Sequence, residues 1–132
     1  PEVMPFGFSN SYDLYFPSIY FGFNTFNSDT WGIHSSGLAN KWVFVVTVFS
    51  NGDISKSKMY LDGKEQSMAS LRSPLGVKDV FHSGFVGAGP GGFRFSGKID
   101  DVRIYSSALS VSKIQKLYAE DFQKYLAKNT KE

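Results

Sequence analysis

Trp42-Val-Phe-Val-Val-Thr-Val-Phe49 is eight residues of aromatic and β-branched side chains, closed by the strong turn signal Ser50-Asn-Gly-Asp53. Along it Trp42, Phe44, Val46 and Val48 point one way, and Val43, Val45, Thr47 and Phe49 the other. Apolar residues on both faces predict a strand that is central and covered on both sides, or covered on one side and lining a groove on the other. Lys58-Met-Tyr-Leu61 reads as the next strand, with Asp62-Gly63 as a tight hairpin into Lys64 to Ala69. Gly52 and Gly63 are expected to supply the positive φ of these turns.

The same grammar runs outward in both directions. Between Val3 and Phe26, short aromatic runs alternate with turn formers: Pro5 to Phe8, then Ser9-Asn10-Ser11, Tyr12 to Phe16, Pro17, and Ile19 to Phe23. Downstream, Val80 to Val86 reads as a strand closed by the loop Gly87-Ala-Gly-Pro-Gly-Gly92. Phe93 to Tyr105 resumes the strand pattern, with Gly97 at a bulge or bend. From Ser110 the period changes: Val111, Ile114, Leu117, Tyr118, Phe122, Tyr125 and Leu126 fall three and four apart, one face of an amphipathic helix. Ser110 is its natural N-cap, and residues 128–132 are expected to fray. Because the stripe runs almost to the terminus, the whole helix is expected to dock. The fold class is therefore all-β: an antiparallel two-sheet sandwich of eight to ten strands with one C-terminal amphipathic α-helix. Residues 1–109 would form the sandwich, and 110–132 a helix and tail packed on the same domain.

Composition sets the limits. The 132 residues suffice for one domain, and 42% hydrophobic with 20% charged residues excludes wholesale disorder. Absence of Cys excludes a disulfide scaffold, a thiolate metal site and a Cys nucleophile. A formal charge of +2 with no Lys/Arg cluster argues against nucleic acid, and no apolar run approaches a membrane span. Pro1 is not a translation start, so the chain reads as a processed or excised piece.

Enzyme signatures are thin. His34 and His82 have no partner at i+4, and neither a G-x-S-x-G elbow nor a P-loop occurs. Asp100 and Asp101 are adjacent, so in a strand they leave on opposite faces and cannot act as the carboxylate pair of glycoside hydrolysis. Asp101 shares a face with Arg103, where an ion pair is expected. Glu2, Glu65, Glu120 and Glu132 sit at ends, in a hairpin or on the helix. Catalysis by this chain is not expected.

One polar cluster stands out. Gly22 to Gly32 gathers Asn24, Asn27, Asp29 and Trp31 within eleven residues. Amides and a carboxylate beside an indole suit sugar recognition, with hydrogen bonds to hydroxyls while the ring stacks on a C–H face. Asn and Asp oxygens also suit Ca²⁺, and they equally build hydrogen-bonded turns with no ligand. These four residues are the candidate ligand-binding site.

Trp42 with its apolar strand, Met59-Tyr-Leu-Asp-Gly-Lys64, Val86-Gly87, Phe95-Ser-Gly-Lys-Ile-Asp-Asp-Val-Arg-Ile-Tyr105, Ala108-Leu-Ser110 and Ile114 to Tyr118 follow one another in order. That succession resembles the laminin-G-like, concanavalin A-like jelly-roll domains common in bacterial and archaeal surface proteins, over residues 40 to 120. Two departures accompany it. The front strands of such domains have no counterpart, so the chain looks N-terminally truncated or completed by a neighbouring chain or domain. Lys113 also stands where the family often has a capping-box Glu. The resemblance implies a jelly roll that binds glycans or surface proteins, often with Ca²⁺ at the sheet rim, in an extracellular or cell-surface prokaryotic setting. The same fold hosts lectins, adhesion modules and glucanases. A pilin-like or surface-layer head domain and an accessory domain of a polysaccharide-degrading enzyme are the alternatives.

Overall fold

The computed structural model describes residues 3–8, 13–25, 29–72, 84–88 and 92–129. Among them nine strands form two antiparallel sheets. The larger sheet holds β1 (Val3–Phe8), β2 (Asp13–Phe16), β3 (Tyr20–Asn24), β4 (Thr30–His34), β8 (Ala69–Arg72) and β9 (Gly84–Val86), in the order β8-β4-β3-β2-β1-β9. The smaller one has β5 (Val45–Val48), β6 (Lys58–Leu61) and β7 (Lys64–Glu65) in sequence order. A single helix, α1 (Val111–Asn129), ends the described chain. Sandwich and helix are as the sequence predicts.

Register explains which residues meet. Leu14 pairs with Phe23, and Phe23 with Trp31, so these three share the inner face of the larger sheet. Across the gap, Ile54, Phe49 and Met68 pack against them, and Phe23 and Ile54 are almost fully enclosed. This is the sandwich core. On the opposite face of the larger sheet, Gly22 lies directly across from Gly32. A Cβ on Gly22 would run into the Trp31 carbonyl and come 2.6 Å from Cα of Gly32. Here glycine is required by the closeness of two backbones, not by φ.

The Asp62-Gly63 turn has φ of +49° and +78°, the paired positive values of a type I′ hairpin, and it sets Leu61 against Lys64 and Tyr60 against Glu65. Gly52 also takes positive φ, as expected. Beyond Glu65 the chain does not stay in the hairpin. Instead of one strand from Lys64 to Ala69, β7 stops after two residues and 66–68 carry the chain to the larger sheet, where β8 pairs with β4. Trp31 sits directly across from Ser70 there.

Three further expectations are corrected. The strand expected over Trp42 to Phe49 is confined to Val45–Val48, at the edge of the smaller sheet among the described residues. The ladder stops because β6 turns away at Asp62, which closes on Phe44 instead: Phe44 N donates to Asp62 Oδ1 at 2.9 Å, and Asp62 N to Phe44 O at 2.9 Å. The strand covered on both faces is β6, where the neighbours Met59 and Tyr60, facing opposite sides, are both buried.

Second, Phe93 to Tyr105 forms no strand. An isolated bridge joins Ala88 to Arg94, after which residues 95–105 lie exposed or half-exposed. Asp101 takes a left-handed φ of +56°, which breaks the extension. The expected Asp101–Arg103 ion pair does form, and Arg103 also reaches Asp121 of α1 at 3.2 Å.

Third, the helix docks over only part of its length. Ser110 caps it, with its hydroxyl accepting from Lys113 N at 3.3 Å. Ile114 and Leu117 are buried, and Tyr118 covers Gly63 and meets Phe44 at 5.8 Å. Phe122, Tyr125 and Leu126 are exposed. Residues 80–83 of the strand expected over Val80 to Val86, His82 among them, the turn at Ser9 to Tyr12, residues 89–91 of the glycine loop and 130–132 of the tail lie outside the described residues.

Candidate functional site

The cluster between Gly22 and Gly32 divides. Thr25 N donates to Asp29 Oδ1 at 2.9 Å, Thr25 Oγ1 donates to Asp29 Oδ2, and Asn24 Nδ2 donates to the Asp29 carbonyl at 2.9 Å. Asn24, Thr25 and Asp29 are all buried. They form a clasp that closes the β3–β4 connection from within, as Asx side chains do when they replace backbone partners. Asn27 lies outside the described residues. Asn24 follows Phe23 and so faces away from Trp31, Phe23's cross-strand partner. The structure therefore brings Asn24 and Asp29 together and sets Trp31 apart.

Calcium takes six to eight oxygens. The described part of this loop offers one carboxylate, and both of its oxygens already accept hydrogen bonds from Thr25. These residues do not fit the ion. Among the described residues no group of three or more His, Asp or Glu could hold a metal.

Trp31 leads elsewhere. One edge of its ring rests on the Phe23–Ile54 core, and its Nε1 donates to Ser57 O at 3.3 Å. The half-buried ring helps to line an open groove of about 450 Å³ with Ser55 to Lys58 on one wall and Glu65 to Met68 on the other. The first wall is a 3-10 turn, Ile54–Lys56, capped by Asp53. Hydrogen bonds from Ser55 and the nearby Lys56 ammonium hold the Asp53 carboxyl below its ordinary value. The second wall is the segment that crosses between the sheets, anchored by Gln66 N donating to Met59 O at 2.8 Å.

Glu65 is the one carboxylate among the described lining residues. Its Oε1 lies 3.2 Å from Lys58 Nζ, and its Oε2 accepts from Tyr60 Oη at 3.1 Å. Burial first, and then the Glu65 carboxylate, push the Tyr60 hydroxyl above its ordinary value, so it stays a donor. Glu65 is thereby held in one orientation beside an indole, next to the Gln66 amide, whose Nε2 donates to Lys64 O at 3.0 Å. A ring face, a fixed carboxylate, an ammonium and an amide in one groove can grip a polyol. The two-carboxylate route of hydrolysis needs a second acid across the bond, and none is among the described lining residues.

Sequence reading found Trp31 but not Glu65, Lys58 or Gln66. The signal was there: a two-residue turn at Asp62-Gly63 fixes Tyr60 opposite Glu65 and places Lys58 diagonally beside it.

Two antiparallel sheets that pack their apolar faces together, followed by one helix, define a β-sandwich domain. Residues 4–115 match the laminin-G-type family model of the concanavalin A-like lectin/glucanases superfamily, and the chain belongs to that family. No curated protein and no solved structure matches it.

Proposed function

We propose that the chain is a non-catalytic carbohydrate-binding or adhesion module of a secreted or surface protein of prokaryotic type, and that the Trp31 groove is its sugar site. The observation that carries this is Trp31 beside a Glu65 carboxylate oriented by Lys58 and Tyr60. Family membership supports the class of ligand. That the described lining residues hold a single carboxylate supports binding rather than hydrolysis. The clasp of Asn24 and Asp29 acts indirectly, by fixing the start of the strand that carries Trp31. Sandwich and helix act as one module, an assignment supported by the burial of Ile114 and Leu117.

A glycan array followed by calorimetry tests the reading. Gln66→Ala, on the crossing segment, is expected to weaken a bound neutral oligosaccharide about tenfold, and Trp31→Ala more, with folding of both checked by circular dichroism. Unchanged affinity in both variants would remove the groove from the account.

A second reading has its own observation. Residues 93–105 are strand-like in sequence, yet among the described residues no backbone hydrogen bond ties 98–109 to a sheet, and Ile104 is 79% exposed. An assembly domain completed by a neighbouring strand would use that segment. Sedimentation at micromolar concentration separates the two: a stable monomer supports the binding module alone.

A further inference from the structure

A second groove, of about 640 Å³, lies at the Phe16 end of β2 and shares no residue with the Trp31 groove. Phe16 and Phe95 form part of its lining, their rings nearly parallel at 26° and 6.3 Å apart, and Phe16 is backed by Phe21 stacked at 4.1 Å. Trp42, 50% exposed, adds a third ring. Beside these rings stand Lys41 and Lys98, and no carboxylate is among the described residues that line the groove. Among the described residues neither lysine has an ion-pair partner, as is also true of Lys64, Lys113 and Lys116, so both ammonium groups are uncompensated at the groove.

We propose that this groove binds an acidic oligosaccharide, one whose sugar rings carry carboxylates. Three aromatic rings offer flat, partly desolvated faces that suit the C–H face of a pyranose. Two unpaired ammonium groups at the same groove supply the complement to an anion, and lysine serves as a point charge that does not demand fork geometry. A purely apolar ligand would leave both charges unused. A simple anion would leave the rings unused. A carboxylated sugar uses both. The Asn40 backbone, in a left-handed φ of +60°, turns the chain so that Lys41 and Trp42 reach the groove in succession.

The whole chain is titrated calorimetrically at low salt with a trimer of galacturonic acid, with its fully methyl-esterified form, and with an oligoglutamate of equal charge. The acid trimer is expected to bind about tenfold tighter than either control. Lys41→Gln with Lys98→Gln, both at exposed positions, should abolish that preference, and Trp42→Ala should weaken the acid trimer about tenfold. Trp31→Ala should leave it unchanged, so failure here is distinct from failure of the Trp31 groove. Equal binding of acid and ester, equal binding of oligoglutamate (an acidic peptide or charge alone), indifference to Trp42→Ala, or no binding would each overturn the proposal.

Discussion

Residues 20–34 and residues 93–105 both carry the aromatic and β-branched side chains of strands, and they end in opposite states. In the first, β3 and β4 pair along their length, two glycines let the backbones close up, and Asn24, Thr25 and Asp29 hydrogen-bond to one another at the turn. In the second, Ile99, Val102, Ile104 and Tyr105 stand exposed, and the segment is tied to the helix through Arg103 and Asp121. The difference is not propensity. A strand needs a neighbouring edge to satisfy its backbone, and β-propensity measures fit to such a surface rather than a preference of the chain alone.

The contrast can be broken most severely at Gly22. Gly22→Val is expected to cost about 4 kcal/mol or more, because its side chain meets the Trp31 backbone rather than a movable side chain. Urea denaturation reads the loss.

Asp13, at the start of β2, tests the opposite face of the same sheet, where it lies across from Asn24. It is 4% exposed, its Oδ1 has no hydrogen-bond partner, and burial pushes its carboxyl up to about 7 from an ordinary 3.8, against a smaller lowering by the Phe8 backbone. A raised carboxyl pKa means the folded chain holds the proton more tightly than the unfolded one. Its contribution to stability is therefore fully present below pH 3.8, is lost as pH rises towards 7, and stays lost above. The total loss is roughly 4 kcal/mol at about 1.4 kcal/mol per unit. Asp13→Asn should flatten that slope and stabilise the chain above pH 7; an unchanged slope in thermal melts would place the titration elsewhere.

Asp29→Ala is expected to cost about 3 kcal/mol, since it strands the buried Thr25 amide and hydroxyl. At the exposed end of the comparison, Ile104→Asn should change stability by less than about 0.5 kcal/mol. Amide exchange at 98–109 should be fast, and that at 20–24 and 30–34 slow. Slow exchange at 98–109 in the isolated chain would erase the contrast.

Much of this was legible in the sequence. The Asp62-Gly63 hairpin, the Ser110 cap and the helix stripe are local devices, and local chemistry determines them. The two sheets followed from alternation and turn spacing. Trp42 to Phe44 and Phe93 to Tyr105 misled because ladder membership depends on a distant edge that no local pattern encodes. Crossing between sheets at 66–68 was hidden for the same reason, since Lys64 to Ala69 scans as one run. In the candidate site, Asn24 and Asp29 were singled out as ligand candidates, but composition cannot distinguish polar groups turned inward from those turned to a ligand. Glu65 was passed over because a hairpin Glu is ordinary until its register sets Lys58 and Tyr60 beside it.

The central claim is that Trp31 faces a sugar. With Trp42→Phe leaving Trp31 as the sole indole, its fluorescence is titrated with neutral tetraoses of β-1,4-, α-1,4- and β-1,3-linked glucose and with the glycans retained on the array. A saturable spectral shift with at least one of them, lost in Gln66→Ala, is the predicted result. A Trp31 signal that none of these sugars moves would contradict it.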